Sequence, residues 1–130
     1  MRDFVIITET TADLPASYIK EHELVIVPLY YQIEDTVYGE EKHLELKDFY
    51  DAMRAGAAPT TSASNPDTLR QRYIEIIESG KDILHLAFSS GLSCSYNNAS
   101  FVANDLSEEY PDAKIIVIDT LCASMGQGLI

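Results

Sequence analysis

Ile83-Leu84-His85-Leu86-Ala87-Phe88-Ser89-Ser90-Gly91-Leu92-Ser93 passes from a short apolar run straight into hydroxyl-bearing residues. An apolar run with so little alternation is the pattern of a strand buried on both faces, as in parallel sheets. Phe4 to Ile7 and Ile115 to Ile118 repeat it, so three inner parallel strands are expected. Leu24 to Leu29 is a fourth candidate, and Tyr30 to Ile33 with Thr36 to Tyr38, separated by Glu34-Asp35, reads as a hairpin. Three helical stripes lie between the strands and are expected to face the core. They are Leu46, Phe49, Tyr50 and Met53; Leu69, Tyr73, Ile76 and Ile77; and Leu92, Tyr96, Ala99, Val102, Ala103 and Leu106. Asn65 before Pro66 is an N-cap followed by proline at the first helical position, and Gly80 stands where a C-terminal glycine belongs. Alternating strands and helices predict an α/β fold: a mainly parallel sheet with helices on both faces and a hairpin excursion after the second strand.

A chain of 130 residues suits one domain large enough to bury a core without staples. Its net charge of -12 repels phosphate backbones and anionic headgroups, so nucleic acid and membrane surfaces are poor partners. No apolar run approaches the length of a membrane span, and Met1-Arg2-Asp3-Phe4 does not open a signal peptide. Cys94 and Cys122 are too few for a disulfide framework and lie at helix starts, which fits a reducing cytoplasm and no metal site.

Open parallel sheets bind ligands beyond the carboxyl ends of their strands, and polar residues follow all three runs. These are Thr8-Glu9-Thr10-Thr11-Ala12-Asp13, Ser89 to Ser93, and Asp119-Thr120, joined by Thr60-Thr61-Ser62-Ala63-Ser64 before the helix at Pro66. Neutral hydroxyls and free N–H groups suit a carboxylate or phosphate, each hydrogen bond to an ionised acceptor contributing roughly 1.5–3 kcal/mol. Taken singly, these residues are turn formers and caps, and Asp13 is expected to cap the helix that follows it. Their recurrence at one edge favours a site. A metal or acid–base role is conceivable for Glu9, Asp13 and Asp119, but no cofactor motif is present: neither a P-loop nor a dinucleotide fingerprint occurs. A serine esterase acting from Ser90 or Ser93 is the alternative, although His85 reads as a core histidine and His22 and His43 as exposed.

Four ordered motifs resemble the DegV family: Thr8 to Pro15, Pro59-Thr60-Thr61-Ser62, Ser89 to Ser93, and Ile118-Asp119-Thr120 through Ala123 to Gly128. Val27-Pro28-Leu29 and Phe49-Tyr50 also fit, so the likeness spans essentially the whole chain. The resemblance implies a bacterial fatty-acid-binding protein, not itself an enzyme. Such a protein presents a long-chain carboxylate to a dihydroxyacetone-kinase-like fatty acid kinase, which makes an acyl phosphate for phospholipid synthesis. On this likeness Thr61 and Ser93 would bond the carboxylate, while Ser62 and the Ser89-Ser90-Gly91 loop would shape its cradle. Departures are Cys94-Ser95 where glycine and threonine are usual, and Glu9-Thr10 where aspartate and serine are. Cys94 is expected as a small, buried, inert thiol narrowing the headgroup pocket.

The resemblance also implies that residues 1–130 are an amino-terminal α/β domain, truncated before a carboxy-terminal domain that would complete the acyl tunnel. A bared interface would favour self-association. Light scattering should therefore find a homo-oligomer, dimeric or larger; a clean monomer at high concentration overturns the expectation.

Overall fold

A computed structural model describes residues 2–130. In chain order the elements are β1 (Phe4–Glu9), a 3-10 turn (Thr10–Ala12), α1 (Ala16–Glu21), β2 (Val25–Val27), β3 (Tyr30–Ile33), β4 (Thr36–Tyr38), α2 (Leu46–Arg54), β5 (Thr60–Ser62), α3 (Pro66–Glu78), β6 (Asp82–Ala87), α4 (Ser95–Glu109), β7 (Ile115–Asp119) and α5 (Met125–Gly128). The fold is α/β. Four parallel strands in the order β2-β1-β6-β7 form the main sheet, flanked by helices, and β4-β3-β5 form a small antiparallel sheet.

The register places Ile7 opposite His85 and His85 opposite Val117, so alternate residues of adjacent strands share a face. On one face α3 and α4 bury Leu69, Tyr73, Ile77, Ala99, Val102 and Leu106 against Ile7, Val27 and Ile83. These stripes do face the core. Asn65 accepts a 2.9 Å bond from the Asp67 N–H, with Pro66 leading the helix, and Gly80 adopts φ 85°, the left-handed conformation that ends it. Arg2 reaches the freed carbonyls at that end, donating to Ile77 and Gly80, where the helix dipole favours a cation.

The other face is flanked by α1 and α5: Leu14, Tyr18, Gln127 and Gly128 line, with Ile6 and Leu86, a cavity of about 210 Å³. A Cβ on Gly128 would lie 2.7 Å from the Ala12 carbonyl oxygen, so only glycine permits this approach. The cover stops short of β7. That strand is an edge rather than an inner strand, and it alternates: Ile116 is 48% and Ile118 43% exposed, on the same face as the exposed Phe4. A run of β-branched residues fits a half-covered strand as well as a buried one, and strand order is not encoded in the run itself.

Two further expectations are corrected. The α2 stripe does not enter the core: no residue of α2 is buried, and Leu46 is 76% exposed. Leu92 lies outside α4, which begins at Ser95, and is exposed. Thr60-Thr61-Ser62 forms the third strand of the small sheet, Thr61 pairing with Tyr31. The hairpin itself stands as read, with Glu34 in the left-handed region at its turn. Leu106→Ala, at a site with no solvent exposure, should lower unfolding free energy by about 2–5 kcal/mol in urea. Leu46→Ala should shift it by about 0.5 kcal/mol or less.

Candidate functional site

Glu9 ends β1 and is 1% exposed. Its side chain lies on the Ile7 face, near His85 of the neighbouring strand. His85 Nε2 lies 2.9 Å from Glu9 Oε1, and His85 Nδ1 lies 2.6 Å from the Tyr73 hydroxyl supplied by α3. Burial, reinforced by the nearby Glu9 charge, pushes the Tyr73 phenol up, so it is a donor. The pattern assigns the proton of His85 to Nε2, which donates to Glu9 while Nδ1 accepts from Tyr73. Glu9 Oε2 accepts from the Phe88 N–H at 2.9 Å and from Gln127 Nε2 at 2.8 Å. Gln127 Nε2 also approaches Thr8 Oγ1 and the Leu86 carbonyl, and Gln127 Oε1 accepts from Thr11. No buried side-chain polar atom among the described residues lacks a partner. His85 is thus the core histidine expected of it.

Around this anchor the strand ends carry the hydroxyl segments. Ser89 is buried; its N–H donates to the Cys122 carbonyl and its Oγ accepts from Gly91. Ser90 and Gly91 are exposed, and the Ser90 N–H donates to Asp119 Oδ1, which also accepts from Leu121. Ser93 is half-buried, its Oγ 2.9 Å from Ser95 Oγ. Ser95 in turn accepts from the Ser64 N–H, and Asn98 donates to the Ser64 carbonyl, so the first turns of α4 grip the segment that follows β5. Thr8 and Thr120 donate to the Leu86 and Ala87 carbonyls, which is turn and sheet chemistry rather than ligand chemistry. Asp13 does not cap α1. It sits at φ 52° and accepts a 2.7 Å bond from Ser124 Oγ. Among the described residues no group of three or more His, Cys, Asp or Glu is arranged to hold a metal ion.

An open groove of about 520 Å³ lies beside these loops. Leu29, Tyr30, Leu44, Leu46, Phe49 and Tyr50 give it apolar walls, and Thr10, Thr11, Asp13, Thr61 and Ser124 give it polar positions. The small sheet explains this placement. Thr61, Tyr31 and Tyr38 are directly paired across three strands and so share a face. Tyr31 stacks on Tyr38 at 5.0 Å and meets Phe49 of α2 edge-on at 5.1 Å. The amphipathic stripe of α2 therefore faces a groove. Of the residues singled out from sequence, Thr61 lines it; Ser62 neighbours Thr61 on β5, while Ser89, Ser90, Gly91 and Ser93 form the adjoining loop outside its lining.

The family model for an uncharacterised DegV family protein matches residues 3–130. The chain belongs to the DegV family. A DegV domain-containing protein of Clostridium perfringens is 40% identical over the whole chain, which covers 45% of that protein. A fatty acid-binding protein of Thermotoga maritima is 33% identical over 92% of the chain and 41% of its own length. The crystal structure of a stearic acid-binding protein from Eubacterium ventriosum superposes with a TM-score of 0.89 at 26% identity, covering 97% of this chain and 44% of that one. This DegV chain spans less than half the length of the relatives it matches.

Two features went unread in the sequence. Gln127 sits in a four-residue helix with no periodicity to mark it as buried, and Glu9 carried no sign that its partners would come from β6 and α5. Cys94 is exposed, not buried, and stands just before α4. The Asp119 carboxyl is held below the usual carboxylate range, chiefly by its hydrogen bond from Ser90. Its depressed pKa means the contact is intact above the ordinary carboxylate value and is lost as pH falls through the lowered one. Amide NMR should accordingly find the Ser90 and Leu121 resonances constant near neutrality and moving together below about pH 4, a transition that Asp119→Asn removes.

Proposed function

We propose that this chain contributes the carboxylate-holding half of a fatty-acid-binding protein, with Thr61 and Ser93 as hydrogen-bond donors to the carboxylate. Ser62 and the Ser89-Ser90-Gly91 loop complete the cradle. The observation that carries the reading is the apolar groove that Thr61 lines, walled by leucines and aromatic rings. A fatty acid needs such a pairing: each buried methylene contributes about 0.8 kcal/mol, while hydroxyls orient the anion without adding charge. The names of the relatives support the same ligand class.

The role is presentation rather than catalysis. A carboxylate held by neutral hydroxyls keeps its oxygens available as nucleophiles toward a phosphoryl donor, which suits delivery to a fatty acid kinase in the cytoplasm. Both cysteines are free, in keeping with that compartment. Among the described residues no helix is long and apolar enough to cross a membrane. The exposed row of Phe4, Ile116 and Ile118 is the surface through which this chain would self-associate or meet further structure. No observation favours the esterase alternative: the His85 ring nitrogens are taken by Tyr73 and Glu9, so this histidine offers no base to a serine.

The chain purified from bacterial cells, denatured and extracted, should release fatty acid in near-stoichiometric amount by mass spectrometry. Thr61→Ala and Ser93→Ala should each reduce that yield while leaving thermal unfolding unchanged. A folded chain that carries no lipid removes the main support for the reading.

A further inference from the structure

Glu9 is the buried charged group that the cradle does not use, yet its hydrogen bonds end on the groove. Phe88 and Thr11 both line the cavity. Phe88 is held through its N–H on Glu9 Oε2, and Thr11 through Gln127, whose amide donates to the same oxygen. One carboxylate oxygen thus ties the strand end that opens the Ser89–Ser93 loop to the turn that lines the groove through Thr10, Thr11 and Asp13. Its other oxygen is fixed by His85, and His85 by Tyr73 of α3. We propose that Glu9 is the positioning residue of the site, setting the spacing between the hydroxyl loop and the Thr10–Asp13 wall without touching ligand. The inference rests on reading the groove as the ligand site.

The chemistry separates position from mere bulk. Glu9→Gln keeps an oxygen for Phe88 and Gln127 if its NH2 turns toward His85 Nε2 and the imidazole proton moves to Nδ1, facing Tyr73. Glu9→Met keeps the length and loses the acceptor. The probe is stearate, titrated into the protein and its variants, alongside hydrogen exchange at the Phe88 amide.

Glu9→Gln should bind stearate within about threefold of the unsubstituted protein and keep Phe88 protected. Glu9→Met, still folded by circular dichroism, should lose about tenfold or more in affinity and lose protection at Phe88, the effect of removing a charge-assisted anchor. If Glu9→Met does not fold, Gln127→Met decides the matter: it removes the Gln127 bonds to Thr11, Thr8, Leu86 and Glu9 but leaves the Phe88 bond to Glu9, and should weaken stearate binding while sparing Phe88 protection. A folded Glu9→Met, or failing that Gln127→Met, that binds stearate as the unsubstituted protein does overturns the proposal. Should the unsubstituted protein itself take no stearate, the lipid reading falls, and amide exchange judges the positioning role alone. Phe88 protection that survives in Glu9→Met, or, where that variant does not fold, Thr11 exchange unaltered in Gln127→Met, then refutes it.

Discussion

A carboxylate taken out of water must be fully hydrogen-bonded or it destabilises the fold by several kcal/mol, and Glu9 is such a group. Its partners come from the next strand, from a helix on the core face through Tyr73 and His85, from the start of the Ser89–Ser93 loop and from α5. Those elements are far apart in sequence, so satisfying one side chain demands that all of them be in place together. The same demand explains Gly128, whose lack of a side chain lets α5 come close enough to the 3-10 turn for Gln127 to reach inward. Polar satisfaction, rather than apolar area alone, aligns the carboxyl ends of β1 and β6.

What the sequence made legible follows from range. Asn65, Pro66 and Gly80 mark α3 because caps are local chemistry, and the Leu69, Tyr73, Ile76, Ile77 stripe is buried because one face of a long helix has little else to do. The hairpin at Glu34-Asp35 is equally local. Periodicity identified a face on α2 as well, but a face is only a direction, and Leu46 and Tyr50 point to a groove wall and solvent. Likewise the apolar run of β7 did not say that β7 lies at the sheet edge.

The site was legible in outline because parallel-strand ends are obliged to meet at one edge, so the hydroxyl segments after β1, β6 and β7 were bound to gather. Which hydroxyls remain for a ligand was not legible, since Thr8, Thr120 and Ser89 spend theirs on carbonyls and turns. Thr61 owes its place to a strand pairing with Tyr31 that no short-range pattern announces. Pairing registers and long-range acceptors are tertiary facts.

On the proposed reading, charge adds a further constraint. A chain of net charge -12 repels an anionic ligand at long range, but at physiological ionic strength that repulsion decays over about 8 Å. At Thr61 and Ser93 the carboxylate meets neutral hydroxyls, which neither cancel the protein's charge nor bind so strongly as to trap the anion. Affinity must then come from the hydrocarbon chain, and orientation from the polar end. Such a division suits a holder that has to release its ligand after the headgroup is modified, because the chemistry changes only the group that contributes least to retention.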